Sequence, residues 1–313
     1  MKQLRFVCAQ PASDYYSWQV EVMLHNFIEQ GINLNYVDIV CKVQNNQVPT
    51  HWDRLRRNYA ARFFFYNDTR ITRHYISSVR PNILKQHWQA NPHLATEAIF
   101  YHDCDIIFTK PIKHWITNAM LSDDRWYGSD CRWYIAHSYI LGKGQDVIDK
   151  MCEIMNMPES IIKDNELNAI GAQYLMKNVD ADYWAQVERD CEELFHHVTA
   201  LNQRKKAADP SHHELQIWCA DMWAVLWGAW RKAYTTECHP NFNFSWGTGS
   251  AQDFHNNNIF HNAGVVNNQQ QRFYKADYMT RLPYDDELEI VQDSASWHYW
   301  QLIKRVGRSS VLK

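Results

Sequence analysis

Glycine is scarce in this chain, with ten in 313 positions, where average usage of about 7% would place roughly 22. Neither a G-x-G-x-x-G dinucleotide fingerprint nor a G-x-x-x-x-G-K-[ST] phosphate loop can be assembled from these ten. A bound nucleotide would need something other than a glycine cradle for its phosphates. Long apolar runs are missing too. The nearest approach to the roughly 18 residues of a membrane span, around Trp218 to Trp230, is interrupted by Asp221. The N-terminal MKQLRFVCAQPASDYY has too short an apolar part for a secretory signal and reads as a first strand. Eight cysteines are spread along the chain with no C-x-x-C, which excludes zinc-ribbon and P-C-x-x-C deaminase sites on spacing. They read as reduced thiols of a cytoplasmic protein. Net charge is only −3, so nothing draws the whole chain to nucleic acid or anionic lipid.

Aromatic rings are abundant: 14 Trp, 17 Tyr and 13 Phe, enough to build a core and still leave platforms for flat ligands. Arginine is concentrated. Seven (Arg54, Arg56, Arg57, Arg62, Arg70, Arg73 and Arg80) fall within residues 51–80 against Asp53 and Asp68, a local net charge of +5. A basic island interleaved with Trp52, Tyr59, Phe63, Phe64, Phe65, Tyr66 and Tyr75 fits a nucleic-acid groove or a nucleotide pocket. A solvated face with long aliphatic stems fits equally.

The pattern of apolar residues gives a strand at 4–10, a helix from Tyr15 to Gln30 stopping at Gly31, and strands at 33–43 and 62–68. A helix follows over 77–92, with Pro81 in its first turn, and then a strand at 98–108. That rhythm belongs to an open α/β sheet. The stretches 241–258 and 266–271 read as polar surface loops, and one domain over 1–313 is the simplest organisation.

In FYHDCDIIF (100–108), Asp103 and Asp105 stand two apart on the expected strand, so both side chains leave one face. Two carboxylates there repel unless a cation or hydrogen bonds compensate. A divalent ion bridging them to a diphosphate at the carboxyl end of the sheet is one solution. An acid pair facing solvent at a strand edge is the other. An iron facial triad is out of register, because His102 is followed at its H-x-D spacing by Cys104.

FYHDCDIIF resembles the D-x-D strand of metal-dependent, GT-A-type nucleotide-sugar glycosyltransferases. IFHNAGV (259–265) resembles their late histidine motif, whose imidazole completes the metal site, and FYK (273–275) follows where such enzymes often place a lysine on the donor diphosphate. YGSDCRWYIAHSYI (127–140), IGAQYLMK (170–177) and HHELQIWCADMWAVLWGAWR (212–231) fall where acceptor and donor-sugar segments are expected. The resemblance runs from Phe6 to about Tyr299 and lies nearest phage-type and hydroxyproline-arabinosyltransferase-like sequences, some associated with hypermodified DNA bases. Ile170 departs from it, standing where related sequences tend to have a second glycine.

The resemblance implies an α/β fold, a GT-A-like open Rossmann-type mixed sheet flanked by helices, with a helical, aromatic-rich C-terminal half. It implies Mn²⁺ or Mg²⁺ on Asp103, Asp105 and His261, the imidazole tilting the preference towards Mn²⁺. Gln10, Arg80 and Lys275 are assigned to the nucleotide-sugar donor, expected to be UDP-linked, with Arg80 and Lys275 offsetting the leaving diphosphate. Asp221, a lone acid among Trp218, Trp223, Leu226 and Trp227 with Glu214 expected near the same helix face, is assigned to the sugar or the acceptor hydroxyl. A buried salt bridge to Arg231 or to the arginine island is its other reading. Gln173 is assigned to the anomeric centre and Asp130 to the donor sugar. The absence of an unambiguous general base leans towards retention of configuration. The expected acceptor is a 5-hydroxymethylated pyrimidine in DNA, reached through the Arg54–Arg80 segment. A protein or glycan hydroxyl is the alternative, and a non-catalytic nucleic-acid-binding module is the reading from another class.

Overall fold

The computed structural model describes residues 2–311. A seven-stranded sheet runs in the order β3-β2-β1-β4-β7-β6-β8, with β1 Leu4–Pro11, β2 Val37–Val43, β3 Arg62–Asn67, β4 Ala98–Tyr101, β6 Trp126–Asp130, β7 Ile170–Lys177 and β8 Thr236–Cys238. β3, β2, β1 and β4 are parallel, whereas β7 runs antiparallel to both β4 and β6. The expected mixed α/β sheet is therefore what forms. β1 is covered on both faces, which is why LRFVCAQ is a continuous apolar run rather than an alternating one. A second sheet, β5-β10-β9, comprises β5 Ile106–Phe108, β9 Phe244–Trp246 and β10 Ile259–His261.

On one face of the large sheet, the helices Val79–Ala90, Ala181–Ala208 and Ala220–Arg231 bury Trp88, Trp184, Trp223 and Trp227. On the other face, the helix Asp14–Glu29 packs Met23, Leu24 and Phe27 against Phe6, Phe100 and Phe108. Its end is made by Gly31 in the left-handed region at φ +76°.

The structure corrects several expected elements. The strand predicted at 33–43 begins at Val37, because the Asn33 side chain accepts from the Asn35 N–H at 3.0 Å and winds Leu34–Tyr36 into a 3₁₀ turn. The 77–92 helix is divided into a 3₁₀ turn (Ile76–Ser78), an α-helix and a second 3₁₀ turn (Pro92–Thr96). The 98–108 strand is two strands in two different sheets. Asn26 holds the second of them, its side chain bonding both the N–H (2.8 Å) and the carbonyl (3.0 Å) of Phe108. The 241–258 stretch is not simply loop: it supplies β9 and the helix Ala251–Asn256, started by a Ser250–Asp253 capping box. Nor is the C-terminal half wholly helical, since β7 to β10 come from it.

Candidate active site

The site lies where strand ends converge: beyond the carboxyl end of β4, beside the ends of β1 and β10. Residues His102 to Asp105 form the turn carrying the chain from β4 in one sheet to β5 in the other. Asp103 and Asp105 thus share a side because of a turn, not because of a strand pleat as expected. The turn is pinned by His102 N–H on the Val7 carbonyl (3.1 Å) and by Asn262 N–H on the Asp105 carbonyl (2.9 Å). Since Asn262 follows β10, the second bond also fixes His261. Its Nε2 lies 3.2 Å from Asp105 Oδ1 and 3.6 Å from Asp103 Oδ2. One ligand atom from each of Asp103, Asp105 and His261 falls within 4.8 Å of the others. Two carboxylates and one imidazole are a fitting donor set for a divalent ion of the Mn²⁺ or Mg²⁺ type.

Two cations already face these acids. Lys275 is bonded to Asp105, and Arg80 bridges Asp103 to Asp221. Burial alone would raise the Asp105 carboxyl, but Lys275 and His261 outweigh it and hold it well below the usual carboxylate range. Lys275 moves the opposite way: burial lowers it, and Asp105 and Tyr15 beside it more than restore its charge. Arg80 and Lys275, assigned from the sequence to the donor diphosphate, are here paired with the acids.

Asp221 is buried at the first turn of its helix, and its Oδ1 accepts from Tyr75 Oη at 2.7 Å. Its ion pair is with Arg80 of the arginine-rich segment. Arg231 pairs with Asp190 instead, at 2.7 Å. Glu214 is not on the Asp221 helix face; it is exposed in the loop before that helix. Gln10 is buried at the end of β1, and its amide N–H reaches back to the Val40 carbonyl at 3.3 Å.

Two cavities meet at this cluster, sharing Ser77, Arg80, Asp103 and His261. One, of about 450 Å³, is lined by Gln10, Tyr15, Tyr16, Asp105 and Lys275. Burial pushes the Tyr16 phenol up to about 12, leaving it a proton donor at neutral pH. The other, of about 190 Å³, is walled by Tyr101, Tyr134, Trp184, Trp218, Phe244 and Trp246, with Asp221 among its polar groups. Phe244 and Trp246 fall in the stretch read as loop; the alternation in NFNFSW was the available signal. Tyr15 and Ser129 carried none.

Gln173 is fully buried behind His261, bonded to Ser129, and lines neither cavity. Asp130 is likewise outside both and closes on Arg132 two residues later, at 2.6 Å. Both side chains are thus turned to protein partners, Gln173 to His261 and Ser129 and Asp130 to Arg132.

All seven arginines of the 51–80 segment sit within 4.0 Å of a carboxylate. Arg54 meets Glu21, Arg56 and Arg57 meet Asp53, and Arg62 meets Asp38. Arg70 and Arg73 meet Asp68, and Arg80 meets Asp103 and Asp221. Glu21, Asp38, Asp103 and Asp221 come from outside the segment, so a local charge count could not register them. No described helix is long and apolar enough to cross a membrane.

No protein-family model matches the chain, and no curated protein matches it. Among solved structures it is similar to the apo form of WbbM, a bifunctional glycosyltransferase, at 10% identity and a TM-score of 0.48. That match covers 96% of this chain and 52% of the other, so the chain spans about half of WbbM's length. It is similar to the galactosyltransferase LgtC, in complex with donor and acceptor sugar analogues, at 10% identity and a TM-score of 0.40, covering 97% and 95% of the two chains. A glycosyltransferase involved in glycosylation of the major capsid of PBCV-1 matches at 11% identity and a TM-score of 0.38, covering 86% and 96%. At such values the likeness assigns no chemistry to this chain; its own residues must carry any functional assignment.

Proposed function

We propose that this chain is a single-domain glycosyltransferase. It moves a sugar from a nucleoside diphosphate, UDP-linked by our reading, to a hydroxyl acceptor. One observation carries the proposal: the Asp103, Asp105 and His261 cluster stands on the wall between a cavity bearing Lys275 and a cavity walled by aromatic rings. The first suits a diphosphate, the second a flat acceptor. A divalent ion held by Asp103, Asp105 and His261 would supply Lewis-acid charge against the leaving diphosphate. Lys275 and Arg80, paired with carboxylates here, turn to the phosphates as the anomeric carbon–oxygen bond breaks. Asp221 receives the acceptor hydroxyl proton as the new glycosidic bond forms.

For the acceptor, the family resemblance favours a 5-hydroxymethylated pyrimidine in DNA, and the aromatic cavity suits a single stacked ring. The arginine pairings argue against an open cationic groove, so binding through that segment would need its carboxylate partners displaced. We place the protein in the cytoplasm, in keeping with its eight unpaired thiols.

The test is mass spectrometry of a hydroxymethylcytosine oligonucleotide after incubation with pooled nucleotide sugars and Mn²⁺. A mass gain of one sugar, lost in Asp103→Ala with the fold intact, supports the proposal. An unchanged oligonucleotide beside active donor hydrolysis removes the DNA acceptor and leaves a protein or glycan hydroxyl. Nucleic-acid binding that is indifferent to Asp103→Ala, with no donor bound, would favour a non-catalytic module.

A further inference from the structure

β6 and β7 pair regularly up to Gly128 opposite Tyr174 and then slip, Ser129 lying opposite Gly171, so that Ala172 and Gln173 bulge out of the ladder. Ala172 takes φ +59°, a region that residues with a Cβ avoid. The flanking glycines leave no room for side chains. A Cβ on Gly128 would lie 2.8 Å from Ile170 Cβ and 2.9 Å from the Gln173 carbonyl oxygen, and one on Gly171 would lie 2.8 Å from Cys131 Sγ. A strained bulge beside a site re-aims a side chain, and the side chain aimed here is Gln173.

Gln173 Nε2 lies 3.3 Å from His261 Nδ1, and Gln173 Oε1 lies 2.7 Å from Ser129 Oγ. Ser129 Oγ is also 2.6 Å from the Phe242 carbonyl oxygen. A hydroxyl has one proton, and a carbonyl only accepts. The Ser129 proton therefore goes to Phe242, and its oxygen accepts from Gln173. The two ends of an amide are told apart by such accounting, and turning this one over, with NH₂ to Ser129 and oxygen to His261, gives every group a partner of the right kind. Nδ1 of His261 then carries the ring proton, and Nε2 is left to give its lone pair to an ion lying between it and the two acids.

We propose that Gln173 is the positioning residue of the metal site, holding His261 in the tautomer whose Nε2 ligates a divalent ion. This rests on reading the cluster as a metal site. Phe242, Ser129 and Gln173 form a buried chain behind the imidazole, the arrangement that orients metal-ligating histidines.

The experiment is Mn²⁺ binding to the full chain without nucleotide, followed by the electron paramagnetic resonance signal of free Mn²⁺. Gln173→Leu should weaken binding about 10–100-fold. Gln173→Glu, whose carboxylate still accepts from Nδ1, should retain affinity. Ser129→Ala should weaken binding, and in combination with Gln173→Leu should add nothing further, because both act through one chain. In ¹⁵N-histidine-labelled protein loaded with diamagnetic Zn²⁺, the His261 proton should sit on Nδ1. Wild-type affinity in Gln173→Leu, equal losses in the Leu and Glu variants, additive losses in the double variant, or a proton on Nε2 would each overturn the proposal. A wild-type protein that takes no Mn²⁺ would sink the metal reading as well, which separates the two failures.

Discussion

Tyr75 Oη stands 2.7 Å from Asp221 Oδ1, while Arg80 grips the other oxygen of the same carboxylate. The two residues are 146 positions apart, one in the loop before the helix Val79–Ala90, the other in the first turn of Ala220–Arg231. Burial, reinforced by the Asp221 charge, pushes the Tyr75 phenol far above its ordinary range, so it stays a donor. The pair and Arg80 together fix where the carboxylate points. Asp221→Asn is expected to lower kcat by about 10²–10⁴ while leaving Mn²⁺ affinity unchanged. Tyr75→Phe removes one hydrogen bond to a charged group, costing about 1.5–3 kcal/mol. Donor turnover at saturating Mn²⁺ measures the first, Mn²⁺ titration its unchanged affinity, and urea unfolding the second.

Lys275 is the direct counter-ion of Asp105. Lys275→Met leaves a buried acid beside a second acid, and breaking such a pair costs up to about 3–5 kcal/mol. The Tm should fall in metal-free buffer. Added Mn²⁺ should then raise the Tm of the variant more than that of the wild type, since the ion replaces the lost charge. Equal shifts in the two proteins would count against a shared role for Lys275 and the ion.

The β6–β7 bulge makes a stability prediction independent of any ligand. Gly128→Ala and Gly171→Ala each force a Cβ into occupied space and should lose about 1–3 kcal/mol by overpacking. Ala172→Gly should not destabilise, because relief of the left-handed backbone, roughly 1–2 kcal/mol, offsets the added chain entropy of glycine. Urea unfolding should show a lowered midpoint in the two glycine variants and none in Ala172→Gly.

Acid should weaken the fold through His102. Burial among Phe6, Phe27 and Phe100 lowers its imidazole to about 4, against about 6.5 in an unfolded chain. Below 6.5 the unfolded chain takes up a proton that the folded one refuses. Stability present at neutral pH is therefore lost as pH falls from about 6.5 to about 4, by about 3 kcal/mol. Comparing urea midpoints at pH 7 and pH 4.5, His102→Leu should show a smaller drop than the wild type.

The α/β class, the early order of strands and helices, and the chemistry of the FYHDCDIIF and IFHNAGV segments were legible in the residues alone. These are local: apolar periodicity and short polar breaks survive without knowledge of neighbours. The glycine shortage belongs here too, excluding a phosphate loop; two of the ten glycines serve a bulge instead. The remainder was set by folding in three dimensions. β4 ends at Tyr101 and Ile106 goes to another sheet, because Asn26, 82 residues before Phe108, bonds both of its backbone groups. Acids from β2, the helix Asp14–Glu29 and the site itself neutralise much of the arginine segment. Gln173 is drawn behind His261 and Asp130 is left to Arg132, outcomes set by a bulge and by packing between segments far apart in the chain. Residue type announces what chemistry a side chain can do, but which partner it meets depends on long-range pairing, and no local pattern encodes that.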